Sequence, residues 1–258
     1  MSTIIDEVCA YADELLNTHA IPDYPSALNG LQFQASVPLR GIAAAVDFST
    51  RGIEGAHALD ANLLIVHHGM FWGGLSPLTG AAHRRARLLF DYDMAVYSSH
   101  IPLDCHATLG NNVLLAKELH LTPTREFARY QGIFIGVAGD SDIPTQSLAE
   151  RATSFARKYG HATRTTPIVD GRRTRHWGMC SGAGAAADTL QEAIDARIDT
   201  LIVGEGPHWT AITAEENDLV IIYAGHYATE TLGVCALAQH LSERYGVPWD
   251  FVSAPTGL

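Results

Sequence analysis

Apolar residues Ile4, Ile5, Val8, Ala12, Leu15 and Leu16 recur at three-to-four spacing and predict an amphipathic first helix, capped by Ser2 or Thr3 and ending near Thr18 to Pro22. Beyond it, short apolar runs at Ile42 to Val46, Leu63 to Val66, Met94 to Tyr97, Ile133 to Ala138, Thr200 to Val203 and Leu219 to Tyr223 predict strands. Most are almost continuously apolar, the pattern of strands covered on both faces. Helical periodicity separates them at Arg84 to Tyr92, Asn111 to His120, Pro144 to Tyr159, Ala185 to Arg197, His208 to Asn217 and Ala228 to Tyr245. This alternation predicts an α/β fold with helices on both faces of parallel or mixed sheets.

Thr122 to Tyr130 and Thr163 to Arg175 are polar. The first divides the expected single domain into two lobes, about 1–124 and 125–258, although neither stretch reads as a flexible linker. Two strands, one in each half, lead into histidine, at Leu64-Ile-Val-His67 and Ile221-Ile-Tyr-Ala-Gly-His226, which hints at a pseudo-repeat.

The 258 residues are 47% hydrophobic and 17% charged, enough for a sizeable core and too apolar for disorder. A formal charge of -11 repels phosphate polymers and anionic lipid, so nucleic-acid and membrane partners are disfavoured and a small-molecule partner is favoured. Cys9, Cys105, Cys180 and Cys235 form no Cys-x-x-Cys pair, which removes a thiolate zinc site and fits a reducing compartment. With no signal-peptide pattern and no apolar run long enough to span a bilayer, the expected location is cytoplasmic.

Candidate chemistry gathers at strand ends. His67-His68 follows Leu63 to Val66, and Gly69 offers a bend that would bring both rings into one pocket; the plain alternative is a core or capping pair. Asp104 ends Tyr97-Ser-Ser-His-Ile-Pro-Leu-Asp104, either as a carboxylate able to bridge cations or as a turn cap. His226 and Glu230 stand four residues apart at a predicted helix start, so one face presents both, as ligands or as a solvent-facing pair. Three imidazoles and two carboxylates without sulfur suit Zn, Mn, Fe, Co or Ni. Five ligands exceed one open site, and two divalent ions sharing a carboxylate would account for the number and polarise a water between them.

Asn29-Gly-Leu-Gln32, His67-His-Gly-Met-Phe-Trp72, His100-Ile-Pro-Leu-Asp104 with Gly110-Asn-Asn112, Gly204-Glu205 and Ala224-Gly-His-Tyr-Ala-Thr-Glu230 together resemble the dinuclear-metal-centre hexameric proteins. These are also called NIF-three-like (NGG-one-interacting factor three-like) proteins or GTP cyclohydrolase I type 2 homologues. The resemblance spans nearly the whole chain. It implies a three-layer α/β/α fold, a toroidal homohexamer, and two divalent transition-metal ions per subunit held by His67, His68, Asp104, His226 and Glu230. Many members carry proline where this chain has Gly69, and some carry an inserted middle domain for which Thr122 to Arg175 is too short.

Nearby, Glu205 and His208 are candidates for an acid, base or substrate contact, and His100 for a supporting partner that orients Asp104. Cys180-Ser-Gly-Ala-Gly184 could offer N–H groups to an anion but lacks the P-loop ending and the third glycine of a dinucleotide fingerprint, and reads rather as a plain strand-to-helix turn. The basic clusters His83 to Arg87 and Arg172 to Arg175 read as solvated faces, or as contacts for a substrate phosphate or a neighbouring subunit. The expected function is that of a metal-dependent hydrolase acting on a nucleotide-like small molecule. The alternative is a metal-binding or protein-interaction ring without turnover.

Overall fold

A computed structural model describes residues 4–257 and shows an α/β protein with two mixed sheets. The first helix spans Ile4–Leu15 and buries Ile5, Val8, Cys9 and Ala12, the stripe its spacing predicts. Its expected cap, Ser2 or Thr3, lies outside the described residues.

The chain forms two compact units, residues 1–106 with 233–254, and residues 107–232 with 255–258. This division differs from the cut expected near residue 124. Residues 233–254 join the first unit through strand Trp249–Phe251, which pairs in parallel with Ile42–Asp47.

In the first unit the strand order is Gly30–Phe33, Ala95–Ser98, Leu63–His68, Ile42–Asp47, Trp249–Phe251, with only the Gly30–Phe33 edge antiparallel. Ala43, Ala45, Leu64, Val66 and Val96 point to one face, where Ile53 and Ala56 of helix Thr50–Ala58 and Leu89 of helix Gly80–Tyr92 cover them. Ser49 caps the first of these helices by accepting the Gly52 N–H at 3.1 Å.

In the second unit six strands run in the order Arg125–Tyr130, Ile133–Pro144, Arg173–Cys180, Thr200–Val203, Val220–Tyr223, Arg164–Thr165. Alternation assigns the two faces. Trp177, Met179, Ile202, Val220 and Ile222 meet helices Asn111–Glu118 and Thr145–Arg157, whereas Phe127, Leu201, Val203 and Ile221 meet helices Ala187–Asp195 and Trp209–Glu216. Covering on both faces is why Thr200–Val203 is buried at every position.

Both polar stretches contain strand, with residues 166–172 connecting two strands of the second stretch. Arg125–Tyr130 is an edge strand, and Arg164–Thr165 and the start of Arg173–Cys180 are strand as well. The basic clusters are partly taken up by carboxylates: Arg87 meets Asp91, Arg172 meets Asp218 and Arg173 meets Asp142. Among the described residues no helix is long and apolar enough to cross a membrane.

Candidate metal centre

Strand Leu63–His68 runs through both histidines, which therefore belong to the strand rather than to a bend after it. His67 is wholly buried and His68 nearly so, and their ring centroids stand 5.0 Å apart at a 55° tilt. Gly69 has no left-handed backbone. Its smallness serves another purpose: a Cβ there would fall 2.3 Å from Gln32 Oε1, and that oxygen accepts the Met70 N–H at 2.6 Å.

The neighbouring strand Ala95–Ser98 delivers the next segment, in which Ile101–Asp104 makes a single helical turn with Pro102 in its opening positions, where no N–H is needed. Asp104 Oδ2 lies 3.4 Å from His67 Nε2. His100, expected to orient Asp104, meets it through the backbone, its carbonyl accepting the Asp104 N–H at 3.1 Å, while its ring turns to Asp23. Its ring takes a further place. The ligand atoms of His67, His68 and His100 all lie within 4.8 Å of one another, so this unit gathers three imidazoles where two were expected.

In the second unit, Val220–Tyr223 leads to Gly225, whose φ of 95° only glycine adopts easily, and then to the short helix His226–Thr229. Glu230 closes that turn, and the four-residue spacing puts its Oε2 3.1 Å from His226 Nε2. Glu205, just beyond the adjacent strand, accepts at Oε1 from His226 Nδ1 at 2.8 Å. Burial lowers the imidazole's pKa, but the hydrogen bonds and charge of Glu230 and Glu205 outweigh it and lift the value to about 9. Two carboxylates thus hold a proton at this imidazole, and a metal ion at Nε2 would take that proton's place. His208 stands at the start of helix Trp209–Glu216, exposed and without a side-chain cap bond, and lines a pocket beside Glu205.

One pattern joins the four rings. His67 Nδ1 faces the Ser99 carbonyl at 2.8 Å, His68 Nδ1 faces Asp47 Oδ1 at 2.9 Å, His100 Nδ1 faces Asp23 Oδ1 at 2.8 Å, and His226 Nδ1 faces Glu205. A carbonyl or ionised carboxylate only accepts, so each Nδ1 donates and Nε2 is the nitrogen each ring reserves, which at His226 faces the Glu230 carboxylate at 3.1 Å. Acceptors of this kind behind an imidazole fix its tautomer and aim it as a metal ligand.

Sequence reasoning missed Asp23 and Asp47. Asp47 carried a signal, being a carboxylate at a strand's C-terminal end, where α/β folds collect functional groups. Asp23 carried none, since 77 residues separate it from His100. The Cys180 to Gly184 segment is a plain turn: the Ser181 N–H goes to Asn112 Oδ1 at 2.7 Å and the Gly182 N–H to Thr229 Oγ1 at 3.0 Å, which uses the groups an anion would need.

The family model described as Duf34/NIF3 (NGG1p interacting factor 3) matches residues 3–256. A GTP cyclohydrolase 1 type 2 homolog of Deinococcus radiodurans is 39% identical, with 98% of this chain and 94% of that one aligned. Another, of Pyrococcus abyssi, is 40% identical over 98% and 99% of the two chains. Among solved structures, protein ybgI, of unknown function, matches with a TM-score of 0.87 at 30% identity over 98% of both chains. TTHA1606 from Thermus thermophilus matches at 0.78 and 33% identity over 98% and 99%. With sequence and fold matching from end to end, the chain belongs to the Duf34/NIF3 family.

Proposed function

We propose that this protein is a metal-dependent hydrolase of a nucleotide-like small molecule, in which His67, His68 and Asp104 with His226 and Glu230 hold two divalent transition-metal ions. What carries the reading is the uniform use of Nδ1: all four imidazoles spend it on an acceptor-only oxygen, which reserves Nε2 of each ring as the nitrogen a metal ion would take. Nitrogen and carboxylate donors without thiolate suit Zn, Mn, Fe, Co or Ni. The relatives' name, GTP cyclohydrolase 1 type 2 homolog, supports a nucleotide as the first class to try.

When bound, the ions would supply Lewis-acid polarisation and activation of water. The chain's own part is preparation. Ser99 and Asp47 fix the tautomers of His67 and His68, and Glu205 fixes that of His226. Glu230, nearly fully buried, brings a carboxylate that costs free energy to bury unless positive charge meets it. In the family's manner the protein would assemble as a homohexamer.

The test is metal-by-metal reconstitution of wild type and His226→Ala, elemental analysis of both, and a screen of nucleotides, GTP included, and phosphoesters. Turnover that tracks bound metal and disappears in His226→Ala supports the hydrolase. Full metal occupancy with silence across the library would replace it with a metal-binding ring, and a wild-type protein that retains no transition ion would end the metal reading.

A further inference from the structure

Wholly inside the second unit lies a pocket of about 390 Å³, within the range of sites that take a drug-sized ligand. Its walls include His161, Arg164, Glu205, His208, Ala211 and Tyr223. Two of these tie it to the candidate centre. Glu205 holds His226 Nδ1 at 2.8 Å, and the His161 ring packs so closely on Gly225, the residue before His226, that a Cβ there would fall 2.5 Å from it.

The charges do not balance inside the pocket. The Glu205 carboxylate is already engaged, with Oε1 held by His226 Nδ1 at 2.8 Å. Among the described residues Arg164 meets no carboxylate: it sits on the edge strand Arg164–Thr165, is exposed, and makes one long hydrogen bond, 3.5 Å, to the Thr163 carbonyl. A guanidinium without a carboxylate among the described residues, at the rim of a recess that also holds the exposed His208 imidazole, recruits an anion. The Tyr223 hydroxyl is engaged with Thr210 Oγ1 at 2.7 Å, so what it presents to the recess is ring surface. With the imidazole of His161, that is a wall for a flat ring.

We infer that this pocket binds a small molecule with a flat heterocycle and an anionic head, the ring lodged against Tyr223 and His161 and the phosphate or carboxylate on Arg164. The inference names the substrate class for the reading above and rests on it for the pocket's purpose, whereas the binding itself requires no metal. Ala211, on helix Trp209–Glu216, stands where a larger side chain would fill the space.

The probes are guanosine monophosphate, guanosine, orotate and inorganic phosphate, titrated calorimetrically into full-length protein as purified and after chelator treatment. The variants are Arg164→Gln and Ala211→Trp, each checked by circular dichroism. Guanosine monophosphate or orotate should bind the wild type in both preparations, and the one that binds tells phosphate from carboxylate. Arg164→Gln should weaken that ligand at least tenfold while changing guanosine less than twofold, and Ala211→Trp should abolish both. Binding that vanishes with the metal and ignores Arg164→Gln would place the anion on the cations and overturn the proposal, as would no binding of any probe at millimolar concentration. Elemental analysis separates the two failures: metal retained without ring binding ends the pocket proposal alone, and ring binding by a protein that retains no transition ion after repletion ends the metal reading alone.

Discussion

Asp23 Oδ1 lies 2.8 Å from His100 Nδ1, and the same carboxylate's Oδ2 accepts from Asn29 Nδ2 at 2.8 Å and from the Ile101 N–H at 2.9 Å. One buried side chain thus fixes a ring, an amide and the start of the helical turn that carries Asp104. Asp23→Ala strands the His100, Asn29 and Ile101 donors, besides the exposed Tyr24 N–H, at roughly 1–3 kcal/mol for each that water cannot reach. We expect a drop of at least about 2 kcal/mol in urea unfolding, and a smaller one for Asp23→Asn, whose amide can still accept through one oxygen. A variant within about 0.5 kcal/mol of wild type, roughly the spread of neutral surface changes, would show that the carboxylate organises nothing.

Gly69 and Gln32 form a pair that a double-mutant cycle can isolate. Gln32 is tied three ways, with Oε1 taking the Met70 N–H and Nε2 donating to the Ala27 carbonyl at 2.9 Å and the Leu28 carbonyl at 3.0 Å. Gly69→Ala drives a methyl into that amide and should cost about 1–2 kcal/mol by forcing it off its partners. In a Gln32→Ala background the obstruction is gone, the glycine's backbone is ordinary, and the same change should be neutral or stabilising by about 0.4–1 kcal/mol. Costs that simply add would refute the close-approach account and return Gly69 to the role of a bend.

What the sequence disclosed, and what it hid, follows burial and separation. Strands such as Thr200–Val203 were legible because both faces are covered, which makes them almost continuously apolar. Gly30–Phe33, Arg125–Tyr130, Arg164–Thr165 and Trp249–Phe251 escaped because each lies at a sheet edge, where half the positions meet solvent and the hydrophobic signal is lost. Arg173–Cys180 is interior, but its first half exposes Arg173, Arg175 and His176 and so reads as a polar stretch. His226 and Glu230 could be paired from sequence because helical geometry alone makes neighbours of residues four apart. Nothing local joins Asp47 to His68 or Asp23 to His100; sheet pairing in one case and a long excursion in the other bring them together.

Cys9 and Tyr97 give the alkaline limb of stability. Burial, then the charges of Asp13 and Asp6, push the Cys9 thiol far above its usual value near 9.0, and burial with Asp13 raises the Tyr97 phenol, which donates to Asp13 at 2.9 Å. Both acids are harder to ionise when folded, so the native state binds more protons than the unfolded one at high pH. The stabilisation is complete below the unfolded pKa and is lost as pH rises above it. Stability should therefore fall from about pH 9 upward, by about 2 kcal/mol at pH 10.5 on account of Cys9 alone. Cys9→Ala should flatten that slope in urea unfolding between about pH 8 and 10.5, and Tyr97→Phe should do so above about pH 10, whatever each costs at neutral pH. A slope unchanged in Cys9→Ala would assign the loss to other groups.

Gly182 bears most directly on the candidate centre. Its φ is 59°, and a Cβ on it would fall 2.1 Å from Glu230 Oε1. The backbone cannot retreat easily, because its N–H is held by Thr229 Oγ1 at 3.0 Å and its carbonyl by the Glu205 N–H at 2.8 Å. In Gly182→Ala the carboxylate must therefore yield, and since it faces His226 Nε2 at 3.1 Å, the pair opens. The variant should lose about 1–3 kcal/mol through strain at a left-handed position, and at least about tenfold in metal retention if Glu230 is a ligand. Gly171 separates the two effects, with a φ of 77° and nothing within 4 Å of its added Cβ. Gly171→Ala should show the backbone cost with metal retention at the wild-type level. Should both variants retain metal equally, measured by elemental analysis after dialysis against a graded chelator, Glu230 would be removed from the ligand set.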